Sequence, residues 1–335
     1  MSGPTQLMIK ANGITLNVAE QGQENQNAPM VLLCHGFPEG WYSWRHQLEA
    51  LAAAGYHAVA PDMRGYGKSD KPEAIDQYTI FHMVGDLIGV LDAFEAKSAI
   101  IVGHDWGAGI AWLAARLRPD RFRAAAILSV PYRPRSEARP TSVMPQTEDA
   151  QFYQLYFQEP GVAEAEFEAD PRRTLAAMLF GGSGEGVTAI RAMTAASGQP
   201  SKGVGMVSRK DGLLPKMQVP LPSWLSAADL DYYAAEFARS GFRGPLNYYR
   251  NIDRNWELMG AFEGVKVTVP TLYIAGDLDM VVAFPGAAEH LANMKQWVPQ
   301  LREIKMLPGC GHWTQQERPA EVNAAIVEFL RSLPS

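Results

Sequence analysis

The pentapeptide Gly103-His104-Asp105-Trp106-Gly107 lies between an apolar run, Ala99-Ile100-Ile101-Val102, and a helical stretch from Ile110 to Leu117. A strand that hands over to a helix within so few residues needs a sharp turn. Glycines on both sides of Asp105 give that turn room and lift the central side chain clear of the sheet. Strand, G-x-nucleophile-x-G and helix form a nucleophile elbow. Such an elbow belongs to a parallel sheet with helices crossing between its strands, so it constrains the whole chain.

The remaining pattern agrees. Met30 to Cys34 follows Pro29, His57 to Ala60 ends at Pro61, and Ala124 to Val130 is a further run. Short, wholly apolar strands suit a parallel sheet covered on both faces. Between them Met83, Leu87, Val90, Leu91 and Phe94 recur at helical spacing, with Thr79 as N-cap. Strands near Leu7–Lys10 and Ile14–Ala19 flank Asn12-Gly13, a hairpin dipeptide, so the sheet is expected to begin antiparallel. The rhythm resumes with Thr271 to Ile274, Arg302 to Leu307, and a last helix opened by Pro319 in which Val322, Ile326 and Phe329 share a face. The class is α/β, a doubly wound, mostly parallel sheet.

From Tyr132 to Asn255 the alternation stops. Four prolines, Pro131, Pro134, Pro140 and Pro145, suit an extended crossing. Helical stretches such as Glu164–Phe167 and Ala227–Arg239 follow, and Ser197 to Pro222 is dense in Gly, Pro and Ser and reads as a long loop. At about 150 residues per domain, 335 residues allow two units. The expected division is a sheet core of residues 1–131 and 256–335 interrupted by a helical lid, 132–255.

Asp at the centre of the elbow decides the chemistry. A serine attacking saturated carbon would leave an ether that water does not readily cleave. A carboxylate leaves an ester whose carbonyl water can attack. Asp105 therefore points to opening a bond at sp³ carbon in two covalent steps, as for an epoxide or alkyl halide. Esterase, lipase and peptidase readings fall away. The chain order nucleophile, acid, histidine selects His312, in a loop after the Arg302–Leu307 strand, as general base. Asp277 or Asp279, both following Thr271–Ile274, would hold its imidazole. After strand Val31–Cys34, His35-Gly36-Phe37-Pro38 sits where the Phe37 amide would join the Trp106 amide in an oxyanion hole. Phe37-Pro38 is a candidate cis bond. His35 and His104 read as scaffolding, and Cys34 as core. An epoxide oxygen also needs a donor as its C–O bond breaks. Neutral tyrosines supply one at pH 7, and Tyr153, Tyr156, Tyr232, Tyr233, Tyr248 and Tyr249 are all candidates.

Composition excludes more than it selects. Thirty basic against 36 acidic residues give a formal charge of −6, with no basic block, so nucleic acid and anionic membranes are not expected partners. No apolar run approaches the roughly 18 residues that span a bilayer, and the start carries no signal-peptide pattern. A cytoplasmic monomer or homodimer is expected. Two cysteines, Cys34 and Cys310, form no CxxC pair; reduced thiols are expected rather than one bridge, and no metal or organic cofactor is called for.

Several motifs resemble the soluble epoxide hydrolases, α/β-hydrolase-fold enzymes with an Asp nucleophile, in their single-domain bacterial and plant form. These are His35-Gly36-Phe37-Pro38-Glu39 with Trp41-Tyr42-Ser43-Trp44-Arg45, the elbow itself, Phe157-Gln158-Glu159-Pro160-Gly161, Gly241 to Arg250, and Cys310-Gly311-His312-Trp313-Thr314-Gln315. The resemblance runs over nearly the whole chain. It implies Asp279 as the orienting acid and Tyr153 and Tyr249 as the lid tyrosines. It implies Glu39 as a residue ordering water near the base, an epoxide and water as the small-molecule partners, and a diol as product. Phe180 is a candidate for the pocket wall. Gly40 departs from relatives that carry a larger residue there. The alternatives are a haloalkane or haloacid dehalogenase with the same nucleophile, against which Phe37 stands where an Asn donor often sits, and a non-catalytic receptor retaining the fold.

Overall fold

The structure is a computed structural model that describes residues 3–25, 28–197 and 203–334. Strands β1 (Thr5–Ala11) and β2 (Ile14–Gln21) pair antiparallel. Between them Asn12 and Gly13 have φ of 49° and 80°. Left-handed backbone at both positions is what a type I′ hairpin turn requires. Then come β3 (Met30–Cys34), β4 (His57–Pro61), β5 (Ala99–His104) and β6 (Phe122–Leu128). Short strands β7 (Ala150–Phe152) and β8 (Met206–Ser208) pair with each other in a separate two-stranded sheet. Finally β9 (Thr271–Gly276) and β10 (Leu301–Leu307) complete an eight-stranded sheet in the order β1-β2-β4-β3-β5-β6-β9-β10. The β1–β2 and β2–β4 ladders are antiparallel and the rest parallel.

Strand β3 lies between β4 and β5. The chain leaves β3 to one side and returns on the other, so loops diverge at the carboxyl ends of β3 and β5 and open a crevice there. Alternate residues of the central strands face opposite layers. Ile100 and Val102 join Val31, Leu33, Ala58 and Ala60 against helices Arg45–Ala53 and Pro319–Arg331, met through Leu48, Leu51, Val322, Ile326 and Phe329. Ala99, Ile101 and Leu32 face helices Ile80–Ala93 and Trp106–Leu117, met through Met83, Leu87, Val90 and Ile110. Burial on both faces is why these strands read as unbroken apolar runs.

The differences from expectation are local. The run Ala124–Val130 leaves the ladder after Leu128, because Ser129 turns to φ 73°. The helix after the elbow begins at Trp106 rather than Ile110. Thr79 occupies the cap position with extended backbone, but its hydroxyl meets His82 Nδ1 at 2.7 Å instead of a backbone amide. Ser197 ends helix Gly184–Ser197, residues 198–202 lie outside the described residues, and β8 gives the expected loop a strand whose Val207 is buried. Cys34 and Cys310 are buried free thiols. Among the described residues no helix is long and apolar enough to cross a membrane.

Between β6 and β9 the chain forms helices, among them Val162–Glu168, Pro171–Gly182, Gly184–Ser197, Ala227–Ser240 and Arg243–Arg250. Helix Ala227–Ser240 starts with a capping box. Ser226 Oγ accepts from the Asp229 amide at 3.1 Å, and Asp229 Oδ2 accepts from the Ser226 amide at 3.0 Å.

Candidate active site

Asp105 has φ 53° and ψ −118°, a sparsely populated conformation for a residue with a Cβ. Three glycines make it possible. A Cβ on Gly103 would overlap the Gly107 carbonyl, one on Gly107 would overlap the Cys34 carbonyl, and one on Gly36 would overlap Asp105 itself. The β3 loop can therefore press against the elbow, and the Phe37 amide donates to Asp105 Oδ1 at 2.8 Å. Trp106 opens the helix, so its amide belongs to the first turn and has no intrahelical acceptor. The Phe37–Pro38 peptide is cis.

His312 comes from the loop after β10. Its Nε2 lies 3.6 Å from Asp105 Oδ2, and its Nδ1 lies 3.0 Å from Asp279 Oδ1. The same Asp279 oxygen accepts from the Val281 amide at 2.9 Å. Asp277, its rival, instead accepts from the Gly309 amide at 2.8 Å and ties two loops together. Burial disfavours the charged forms of both Asp279 and His312. For Asp279 the His312 charge and hydrogen bonds overcome it and hold the carboxyl below its ordinary value. For His312 the charges and hydrogen bonds of Asp279 and Asp105 overcome it and hold the imidazole well above its ordinary value.

The structure separates the six candidate tyrosines. Tyr156 donates to Glu166 Oε2 at 2.7 Å, Tyr233 to Gln316 Oε1 at 3.0 Å, and Tyr248 to the Arg64 carbonyl at 2.8 Å. Tyr232 stacks on Tyr42 with centroids 4.1 Å apart. Tyr153 and Tyr249 face each other at 5.9 Å and 76°. Tyr249 is wedged edge-on against Trp106 at 5.0 Å, Phe37 at 5.6 Å and Phe157 at 4.8 Å. Burial first, and then the nearby negative charge of Asp105, push both hydroxyls above their ordinary range, so both carry protons at neutral pH. Gln154 Nε2 donates to the Tyr153 hydroxyl at 2.9 Å, a contact no sequence pattern announces.

Glu39 is buried and held by four contacts. Its Oε2 accepts from the Gly36 amide at 2.9 Å and from His104 Nδ1 at 2.8 Å; its Oε1 accepts from Gln315 at 2.9 Å and Gln316 at 3.2 Å. These contacts occupy both carboxylate oxygens, so Glu39 braces the loop after β3 against His104 and the Gln315–Gln316 turn. His104 passes the support on, its Nε2 lying 2.8 Å from the His312 carbonyl. His35 holds the Met63 amide at 2.9 Å. Phe180, on helix Pro171–Gly182, is half-buried, and among the described residues no ring contact joins it to the carboxylates or the tyrosine pair. At Gly40 a Cβ would crowd Asp62 Oδ1 at 3.2 Å, the atom that accepts from the Trp41 amide. A larger side chain would disturb that tie.

Two residues escaped the sequence reading. Ser129 Oγ is 3.0 Å from His312 Nδ1. Its only signal was a lone hydroxyl in an apolar run. Glu317 accepts from the amides of Gly184 and Gly311 through Oε2, at 2.9 and 3.0 Å, and from the Trp313 amide through Oε1 at 3.0 Å. The His312 amide donates to the Gly182 carbonyl at 2.8 Å, and Trp313 Nε1 donates to that of Leu179 at 2.8 Å. The histidine loop is thus strapped to the corner between helices Pro171–Gly182 and Gly184–Ser197.

A carboxylate, an imidazole held by a second carboxylate, backbone donors and paired phenols converge in one largely buried place. The α/β-hydrolase fold family matches residues 29–319. Epoxide hydrolase A of Mycobacterium tuberculosis is 45% identical over 99% of this chain and 99% of its own. An epoxide hydrolase from an endophytic Streptomyces superposes with a TM-score of 0.90 at 44% identity, over 99% of this chain and 96% of its own. Epoxide hydrolase A from Mycobacterium thermoresistibile superposes with a TM-score of 0.87 at 45% identity, over 99% of both chains. With its Asp-centred elbow, this chain belongs to the epoxide hydrolase family of the α/β-hydrolase fold.

Proposed function

We propose that the chain converts an epoxide to a vicinal diol through a covalent ester on Asp105, with segment 132–255 as a lid over the crevice. The observation that carries this reading is the arrangement around Asp105. The Phe37 amide holds Oδ1 at 2.8 Å, and Oδ2 is the oxygen nearest His312 Nε2. One oxygen is restrained and the other is aimed.

The epoxide oxygen accepts hydrogen bonds from Tyr153 and Tyr249. Asp105 Oδ2 attacks a ring carbon from the back, the C–O bond breaks, and the nascent alkoxide takes a tyrosine proton. Asp105 is then an alkyl ester. His312 Nε2, its ring held by Asp279, takes a proton from water, and the water oxygen adds to the Asp105 carboxyl carbon. The negative charge collects on Oδ1, in reach of the Phe37 and Trp106 amides. Collapse cleaves the bond to the alkyl oxygen, which takes the proton from His312. The remaining acid proton of Asp105 restores the tyrosine. Epoxide and water become diol, and every proton is returned.

The dehalogenase alternative is not favoured, because the relatives are epoxide hydrolases and the two phenols suit an alkoxide. A single turnover in ¹⁸O-labelled water tests the scheme. The label is expected in Asp105 and not in the first-turnover diol. Label appearing directly in that diol would reject the covalent route.

A further inference from the structure

We propose that Ser129 is a positioning residue for the His312–Asp279 pair, its hydroxyl bridging the imidazole Nδ1 and the buried carboxylate. The proposal rests on the assignment of His312 as base in the ester-hydrolysis step.

Ser129 sits at the carboxyl end of β6, fully buried, with φ 73°. A serine at positive φ carries backbone strain, which persists only where the surroundings over-determine the position. Here they do. The Ser129 amide donates to the Ile274 carbonyl at 2.9 Å, and its own carbonyl accepts from the Tyr273 hydroxyl at 2.5 Å. Both ties reach β9, the strand that delivers Asp279. The turn aims Oγ at His312 Nδ1, 3.0 Å away, the same distance as Asp279 Oδ1 from that nitrogen.

The Nδ1 proton thus faces two acceptors. With its oxygen lone pair so engaged, the Ser129 hydroxyl keeps its own proton to donate, and the carboxylate is the acceptor in need of one. Asp279 Oδ1 already serves Val281 and His312, while Oδ2 is buried with no hydrogen-bond partner among the described residues in this arrangement. A rotation of the hydroxyl toward the carboxylate relieves that deficit. Against burial, which opposes the ionised acid, the Ser129 hydroxyl is among the groups that favour Asp279 as a carboxylate.

Such a role acts on the second half-reaction and not on the first. Attack on the epoxide needs no base; hydrolysis of the ester does. The test is rapid-quench kinetics with an alkyl epoxide, following the enzyme ester by intact mass and the diol by chromatography, on wild type, Ser129→Ala and Ser129→Gly. Alkylation is expected within about twofold of wild type, while ester hydrolysis slows about 10- to 100-fold. The ester should accumulate, and KM should fall with kcat. Glycine adopts φ 73° without strain, so Ser129→Gly should be at least as stable as Ser129→Ala and show the same hydrolysis defect. Wild-type hydrolysis in Ser129→Gly, or an equal slowing of both steps in both variants, would overturn the proposal. A wild-type enzyme that forms neither ester nor diol would overturn the parent assignment instead.

Discussion

The paired phenols offer a decisive perturbation, replacement of Tyr153, Tyr249 or both by Phe. The ring of Tyr249 is fixed on three sides by Trp106, Phe37 and Phe157, and Tyr153 is edge-on to Phe157 at 5.5 Å. Removing one oxygen leaves that packing intact, so the stability change should stay under about 1.5 kcal/mol. The kinetic change should be larger. A hydrogen bond to a charged acceptor is worth about 1.5–3 kcal/mol, or roughly 10- to 150-fold in rate. Each single variant should lose that much in the alkylation step, with ester hydrolysis unchanged. The double variant should lose more than the product of the two, because the alkoxide would then form against Phe37, Trp106 and Phe157 with no hydroxyl to receive it. Stopped-flow single turnovers, with the ester trapped by acid quench, separate the two steps. If the phenols are only pocket wall, the variants will change KM and leave alkylation within twofold of wild type, and that result refutes their assignment as donors.

His312→Gln should alkylate normally and then stall, with ester hydrolysis slowed roughly 10²- to 10⁴-fold and a stoichiometric mass adduct on Asp105 in intact-protein spectra. Asp279→Asn should lower the melting temperature by an amount that depends on pH. The depressed Asp279 contributes stability above about pH 4, its unfolded value, and loses it as pH falls through the folded value. The raised His312 contributes below about pH 6.5 and loses it as pH rises through its own folded value. The gap between wild type and Asp279→Asn should therefore be widest between these limits and narrow on either side, as scanning calorimetry across pH would show. Glu317→Gln replaces two acceptor oxygens by one and turns an amide donor toward backbone N–H groups. About 1–3 kcal/mol of stability should be lost, with a fall in kcat as the strap on the His312 loop loosens, measured by denaturant titration and steady-state rates.

What the sequence made legible follows its physics. The sheet could be read because β3, β5 and β6 are buried on both faces and are apolar almost throughout, with only His104 at the end of β5 and Arg123 near the start of β6 as exceptions. The elbow could be read because Gly103 and Gly107 answer to a local steric need within five residues. Asp279 could not be separated from Asp277 by spacing, since both follow the same strand. The choice lies in which carboxylate meets an imidazole delivered from β10, a contact between residues 33 apart. The contacts of Glu39 were invisible for the complementary reason, because Gln315 and Gln316, which meet its second oxygen, arrive from the far end of the chain. Ser129 was hidden inside a run that promised only strand, because hydrogen bonds made across a sheet's carboxyl edge leave no periodic trace.

The charges around His312 also bear on how one histidine could serve the proposed two-step reaction. In the resting site it faces two carboxylates, and those anions outweigh burial and raise its basicity well above that of a free imidazole. The first step asks nothing of it as a base, although its Nε2 already lies 3.6 Å from Asp105 Oδ2. Alkylation turns Asp105 into a neutral ester. One of the two anions that raised the imidazole's basicity is thereby removed, while burial and Asp279 remain. The balance moves toward the neutral ring at the moment a base is needed. Asp279 keeps Nδ1 as the donor, so the nitrogen released is Nε2, the one directed at the new ester. In the proposed scheme, substrate chemistry at Asp105 thus favours the neutral base that completes it, and no change of fold is needed between the two halves.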